Sequence, residues 1–293
     1  MSDNGMEGKT AFITGGVSGI GLGLAKAFLR AGMQVVVTFR RNDHLTQAQT
    51  ILRQEGLLSR FAAVEVDVTE REALIGAAAD VESRYGPVHL LCNNAGVNLF
   101  TPIDEASWED WEWVMRVNLF GVVNGLLAFL PGMKSRRSGH ILNTASMSAF
   151  ISGAHGGIYT ASKFAVRGLT ESLRHSLKPH GIGVSLLSPG LTRSNIHECA
   201  FGRPASLRPP SQQIDPAGVK RDAEILALGM DPDEVGEKAL RGVLRNDLHI
   251  FTHPEFKEEL AQLSEVILNA SPQEAPDPRR LRFEQARRAA RGR

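Results

Sequence analysis

The sequence predicts a doubly wound α/β fold, a parallel sheet of about seven strands flanked by helices, with a C-terminal helical extension. Two observations carry this reading. Short β-branched runs alternate with amphipathic stretches along most of the 293 residues, and a glycine-rich turn joins the first run to the first amphipathic stretch. A chain of this length, 42% hydrophobic and 22% charged, has material for one large buried core and is not disordered.

The elements follow in order. Strands are predicted at residues 10–14, 34–39, 62–66 and 88–92, alternating with helices at 20–31, 45–55 and 71–85. A helix around 108–130, a strand near 140–144, a helix at 159–178 and a strand at 183–187 continue the rhythm. Residues 195–230 break it with Pro204, Pro209, Pro210 and Pro216, far longer than an ordinary αβ connection. Their place directly after Pro189-Gly190 marks them as a mobile substrate lid; a disordered insertion is the alternative. Helix, strand and helix are predicted at 231–245, 248–252 and 254–268. Residues 1–270 therefore read as one domain and 271–293 as a basic tail.

Thr14-Gly15-Gly16-Val17-Ser18-Gly19-Ile20-Gly21 sits between the first strand and first helix. Glycines there allow a tight turn and bring backbone N–H groups close to a pyrophosphate at the helix N-terminus, as in a Rossmann-type dinucleotide site. The spacing differs from GxGxxG, and no Walker lysine is present, which argues against a P-loop NTPase. The second strand ends Val37-Thr38-Phe39-Arg40-Arg41, with no carboxylate until Asp43. An acidic residue at this place binds the ribose 2′-OH of NAD, whereas guanidinium forks suit the 2′-phosphate of NADP. NADP (as NADPH) is the favoured cofactor on this ground, with NAD possible.

Tyr159 and Lys163 form an i, i+4 pair, so a phenol and an ammonium share one helix face. A tyrosine with a pKa near 10 needs a nearby positive charge for acid/base work at neutral pH, and Lys163 is placed to supply it. Ser146 ends the preceding strand, where its hydroxyl faces the crevice in which open α/β sheets bind ligands.

With TGxxxGxG, Asn93-Asn94-Ala95-Gly96, Asn118 in the middle helix, Ser146, the YxxxK pair and Pro189-Gly190 in order, residues 9–194 resemble the short-chain dehydrogenase/reductase superfamily. The resemblance implies that Tyr159 is the general acid/base, that Lys163 lowers its pKa and holds the nicotinamide ribose, and that Ser146 polarises the substrate oxygen. It implies that Asn118 holds a water in a proton relay to Lys163. It also implies adenine contacts from Asp67 and Val68, a wall beside the adenine ribose from Asn94, Ala95 and Gly96, and passage of the nicotinamide by Pro189 and Gly190. The family's PGxVxT is here Pro189-Gly190-Leu191-Thr192-Arg193-Ser194, so Thr192 is expected to contribute backbone and Ser194 the hydroxyl at the carboxamide.

The reaction implied is hydride transfer between the nicotinamide and a ketone or secondary alcohol. By position, residues 96–100, 153–157 and 195–230 frame the substrate, with Asn98 and His155 as candidate contacts; for His155 a simple loop histidine is the alternative. Their apolar and small side chains suit a bulky hydrophobic or aromatic ketone. Residues 95–103, 194–198 and 253–255 are similar to bacterial dehydrogenases that oxidise the benzylic alcohol of lignin-derived biaryl ethers. Those generally use NAD with an acidic residue after the second strand, and Phe39-Arg40 departs from that. An epimerase or a nucleotide sensor on the same fold is the remaining alternative, and the intact Ser146, Tyr159 and Lys163 set speaks against the sensor.

Cys92 and Cys199 have no metal-ligand spacing and no disulfide framework, so no metal is predicted and the cytoplasm is expected. No run reaches the roughly 18 apolar residues of a membrane span, the longest, 117–130, being interrupted by Asn118, Gly121, Asn124 and Gly125. Residues 279–293 hold seven Arg and one Glu, leaving the rest at −5 and disfavouring nucleic-acid binding by the body. The tail reads as a solvated helix or a disordered end, with an arm for anionic partners as the alternative. Trp108, Trp111 and Trp113, with residues 117–130, make an apolar middle helix that in this superfamily commonly packs on a second subunit, so a homodimer or homotetramer is expected.

Overall fold

Seven strands form one parallel sheet in the order β3-β2-β1-β4-β5-β6-β7: β1 Thr10–Ile13, β2 Gln34–Phe39, β3 Phe61–Glu65, β4 Val88–Asn93, β5 Gly139–Thr144, β6 Ile182–Ser188 and β7 His249–Phe251. The structure is a computed structural model and describes residues 5–208 and 215–290. Pro209, Pro210 and the last arginines of the tail lie outside the described residues. The order reverses between β1 and β4, which opens a crevice at the carboxyl ends of those strands.

Helices α1 Gly19–Arg30, α2 Asn42–Gln54 and α3 Arg71–Tyr85 follow the first three strands. They are followed by α4 Trp108–Met115, α5 Gly121–Arg136, α6 Gly157–Leu177, α7 Pro216–Ala227 and α8 Pro232–Arg245. The strands read as near-continuous apolar runs because both faces are covered. On one face Ile13, Val35, Val37, Leu90 and Leu187 meet Leu24 and Phe28 of α1 and Val235 and Ala239 of α8. On the other, the Phe12 and Phe129 rings lie 4.6 Å apart. α1 and α8 approach backbone to backbone, since a Cβ on Gly23 would sit 2.0 Å from the Pro232 carbonyl oxygen.

One expectation is corrected: α4 and α5 run on through a π turn, Arg116–Phe120, into a helix Trp108–Arg136 that by length and mean hydropathy (1.6) is apolar enough to cross a bilayer. The polar residues thought to interrupt it are satisfied inside the fold. Asn118 Nδ2 donates to the Val97 carbonyl at 2.9 Å and Asn124 Nδ2 to that of Val68 at 2.8 Å. The helix is a core element, with 56% of its apolar window buried. Residues 195–208 and 215–230 carry regular structure. They contain 3₁₀ turns at Ile196–Gly202 and Ala205–Leu207, and α7, which Asp215 caps by accepting from Ala217 N at 3.0 Å. The chain divides into compact units Met1–His253 and Pro254–Arg293. The second unit holds α9 Lys257–Asn269, which buries no residue, and α10 Pro278–Ala290, the helical form of the basic tail.

Candidate active site

The turn after β1 is tied to the end of β2 and leaves α1's first turn open to a ligand. Gly15 adopts φ +64° and its N–H donates to Thr38 Oγ1 at 3.0 Å, tying the turn to the end of β2. Asn94 Nδ2 donates to the Thr14 and Gly15 carbonyls, each at 3.2 Å, and Thr14 Oγ1 accepts from the Asn94 and Ala95 N–H groups. Ser18 begins α1 without a side-chain cap, and the first turn carries no acidic residue, which keeps the positive helix end available to an anion.

A Cβ on Gly21 would stand 2.1 Å from the Gly15 carbonyl oxygen, which is backbone and cannot swing away. Gly21→Ala is therefore expected to distort the turn at a cost of about 1–3 kcal/mol and to weaken nicotinamide cofactor binding. A thermal melt and an NADPH titration check it, and a variant indistinguishable from wild type in both would show that the turn yields freely.

The turn, the ends of β2, β4 and β5, α6 and the Pro189-Gly190 segment line a single cleft. Of the residues expected to hold a cofactor, Gly15, Val17, Ser18, Gly19, Ile20, Gly21, Thr38, Arg40, Arg41, Asp67, Val68, Asn94, Ala95, Gly96, Pro189, Gly190 and Ser194 all line it, as do Ser146, Tyr159 and Lys163. Thr192 does not. Its hydroxyl turns back to the Gly190 carbonyl at 3.2 Å and its backbone bridges Met230, while Ser194 lines the cleft.

Ser146 caps a 3₁₀ turn at the end of β5, its Oγ accepting from Ser148 N at 3.1 Å, and it also hydrogen-bonds the Tyr159 phenol. Burial raises the phenol above its ordinary value, and the Ser146 hydrogen bond pulls it partly back. Burial also lowers Lys163, to about 8. Its Nζ donates to the Thr144 carbonyl at 3.0 Å and lies 5.4 Å from the Tyr159 ring centroid. The Ser146 hydrogen bond lowers the phenol, and the Lys163 ammonium is directed at the Thr144 carbonyl.

Asn118 lies under the cleft and ties two segments together. Its Oδ1 accepts from Val97 N at 2.8 Å, and its Nδ2 donates to the Val97 carbonyl and to Ser162 Oγ at 3.0 Å. The side chain fixes the segment after β4, both Nδ2 hydrogens and one Oδ1 acceptor site being used. Asn98 and His155 do not line the cleft. Asn98 Oδ1 is buried without a partner among the described residues, and its carbonyl accepts from Cys199 Sγ at 3.1 Å. His155 is exposed and bridges Pro102.

The strand-end reading missed two carboxylates. Asp67 Oδ2 pairs with Arg40 at 2.8 Å, and Glu198 Oε2 pairs with Arg41 at 2.5 Å. Burial would raise the Asp67 carboxyl, but the Thr69 N–H and the Arg40 guanidinium hold it below its ordinary value. Sequence reasoning also gave no role to His253. Its Nδ1 accepts from Gly190 N at 3.0 Å and its Nε2 lies 2.9 Å from the Leu191 carbonyl, so the ring positions the Pro189-Gly190 turn. Its only sequence signal was the similarity at 253–255.

With this geometry, the family is decided by one comparison: the model for short chain dehydrogenase matches residues 9–201. The chain is a short-chain dehydrogenase/reductase. It is 36% identical over 282 residues, 95% of its own length and 92% of the relative's, to the C alpha-dehydrogenase of Sphingobium sp. (strain NBRC 103272 / SYK-6). The apo form of LigO from Sphingobium sp. strain SYK-6 superposes with a TM-score of 0.78 at 37% identity, covering 99% of this chain and 98% of that one. A short chain dehydrogenase/reductase from Burkholderia phymatum in complex with NAD does so at 0.83 and 31%, covering 93% and 99%. The enzyme is thus an NAD(P)-dependent oxidoreductase acting on CH–OH donors and small-molecule substrates.

Proposed function

We propose that the enzyme interconverts a ketone and a secondary alcohol, bulky and hydrophobic or aromatic, with NADPH preferred over NADH. The observation that carries this is the run of one cleft from Arg40 and Arg41 at one end to Ser146, Tyr159 and Lys163 at the other. When bound, the nicotinamide supplies or accepts a hydride at the carbonyl carbon. In the reductive direction the Tyr159 phenol gives its proton to the substrate oxygen, and in the oxidative direction the phenolate takes it back. Ser146 Oγ orients that oxygen by a hydrogen bond, and Lys163 holds the ribose. Residues 196–207 act as the substrate lid, supported by Leu207 and Cys199, which pack with Val97, Trp113 and Ile158. Exposed Phe120, Leu127 and Phe164 support a homodimer or homotetramer, which light scattering checks.

Oxidation of a benzylic alcohol with NAD is a second reading, supported by the likeness to C alpha-dehydrogenase over nearly the whole chain. Titrating wild type and Arg40→Ala with NADPH and NADH by Trp fluorescence separates the two. NADPH is expected to bind at least about tenfold tighter, a gap of ~1.4 kcal/mol that narrows in Arg40→Ala. Equal or tighter NADH binding would move the assignment to the NAD-dependent reading.

A further inference from the structure

The end of the cleft that carries Arg40 and Arg41 is closed by residues more than 150 positions away in sequence. Arg41 Nη1 meets Glu198 Oε2 at 2.5 Å, a chain separation of 157 residues. The same oxygen lies 3.3 Å from His44 Nε2, and Asn195 Nδ2 is 3.4 Å from that ring nitrogen. Arg40 Nη2 reaches the Gly202 carbonyl at 3.5 Å. Arg41, His44, Asn195, Glu198 and Gly202 all line the cleft.

Glu198 does not meet Arg41 from a loose loop. Its neighbour Cys199 donates to the Asn98 carbonyl, and Arg203 is buried in an ion pair with Asp110, Nη1 to Oδ1 at 2.6 Å. The segment is therefore fastened directly after Glu198, at Cys199 and Arg203. The Arg41–Glu198 pair itself is partly solvated, with side chains 44% and 30% exposed, so a dianionic phosphate can replace it.

We infer that Glu198 is a specificity-determining residue for the cofactor: with Asp43 holding the Nε and Nη2 edge of Arg41 at 3.1 and 2.6 Å, the Glu198 carboxylate occupies the remaining Nη1 side that a 2′-phosphate needs, and so restrains NADPH binding while leaving NADH unhindered. The inference rests on the proposed reading of Arg40 and Arg41 as the 2′-phosphate site. A phosphate entering there displaces Glu198 or accepts its repulsion, and either raises the dissociation constant. A ribose 2′-OH donates to Glu198 instead, the task that an acidic residue at the end of the second strand performs in NAD enzymes. The carboxylate that β2 lacks is thus supplied through space by the segment after β6. The NADPH preference is smaller than two unopposed arginines would give.

The test is a binding cycle over Glu198→Gln and Arg41→Ala, singly and together, titrated with NADPH and NADH. Glutamine keeps the shape and removes the charge. Glu198→Gln is expected to tighten NADPH binding by about fivefold, the size of a partly exposed ion pair. NADH is expected to hold or weaken. In the Arg41→Ala background the gain on NADPH should shrink below about twofold, because the group being contested is gone. The inference is overturned if Glu198→Gln shifts both cofactors equally or shifts neither, while Arg41→Ala still weakens NADPH. If Arg41→Ala and Arg40→Ala both leave NADPH untouched, it is the 2′-phosphate reading itself that fails, and the inference with it.

Discussion

Tyr159→Phe is expected to lower kcat for ketone reduction by about a thousandfold, ~4 kcal/mol of transition-state stabilisation, while NADPH affinity changes less than about threefold. The substitution removes one oxygen. It keeps the ring over which Lys163 Nζ stands at 5.4 Å and the Lys163 bond to the Thr144 carbonyl, so the cleft wall survives. What is lost is the proton carrier and the hydrogen bond to Ser146. Turnover above about a tenth of wild type would show that another group handles the proton. The wild type gives a companion result in its pH profile. Burial leaves the phenol above its ordinary value, so at neutral pH it is protonated, the form reduction uses. Oxidation uses the phenolate, whose fraction grows about tenfold per pH unit below the pKa. Reduction should therefore be flat near neutrality while oxidation climbs with pH, and stopped-flow rates in both directions would show it.

The fold was legible because a parallel sheet covered on both faces writes apolar runs and amphipathic stretches in strict alternation, and strands β1 to β6 lie within two residues of the predicted spans. The dinucleotide site was legible for a related reason. A turn that holds phosphate needs glycine where backbones nearly touch, and Gly15 and Gly21 are such places. What stayed hidden depends on contacts between distant parts of the chain. Glu198 at Arg41, Arg203 at Asp110 and His253 at Gly190 have no spacing signature, because the segments that bring them together are placed by tertiary packing. Asn118 shows the opposite case. Its motif position was readable, but the three hydrogen bonds that occupy its amide were not. Thr192 and Ser194 are two residues apart, and only backbone direction decides that the second faces the cleft.

The larger stability effect is expected at the buried pair Asp110–Arg203, whose side chains are 4% and 2% exposed. Removing one partner of such a pair costs about 3–5 kcal/mol, because the other is left charged and desolvated. The two halves are not equivalent. Asp110 also closes a capping box at the start of α4, Oδ2 accepting from Ser107 N at 3.0 Å, so without Arg203 it keeps one strong donor. Arg203 without Asp110 keeps the Leu207 carbonyl and the face of Trp113, its guanidinium carbon 5.1 Å from the ring centroid. Neither of those neutralises its charge. Asp110→Ala, which also removes the cap, should thus cost more than Arg203→Met. The pair joins α4 to the segment carrying Glu198, so the loss is expected to fall first on that segment. Hydrogen exchange of amides 196–207 should quicken more than that of β4 or β5, and the replacement Asp110→Leu with Arg203→Met should restore much of the protection. Equal protection in wild type and Asp110→Ala would show that other contacts hold the segment. A freed segment no longer delivers Glu198 to Arg41, so Asp110→Ala should also move the NADPH to NADH affinity ratio in the direction of Glu198→Gln.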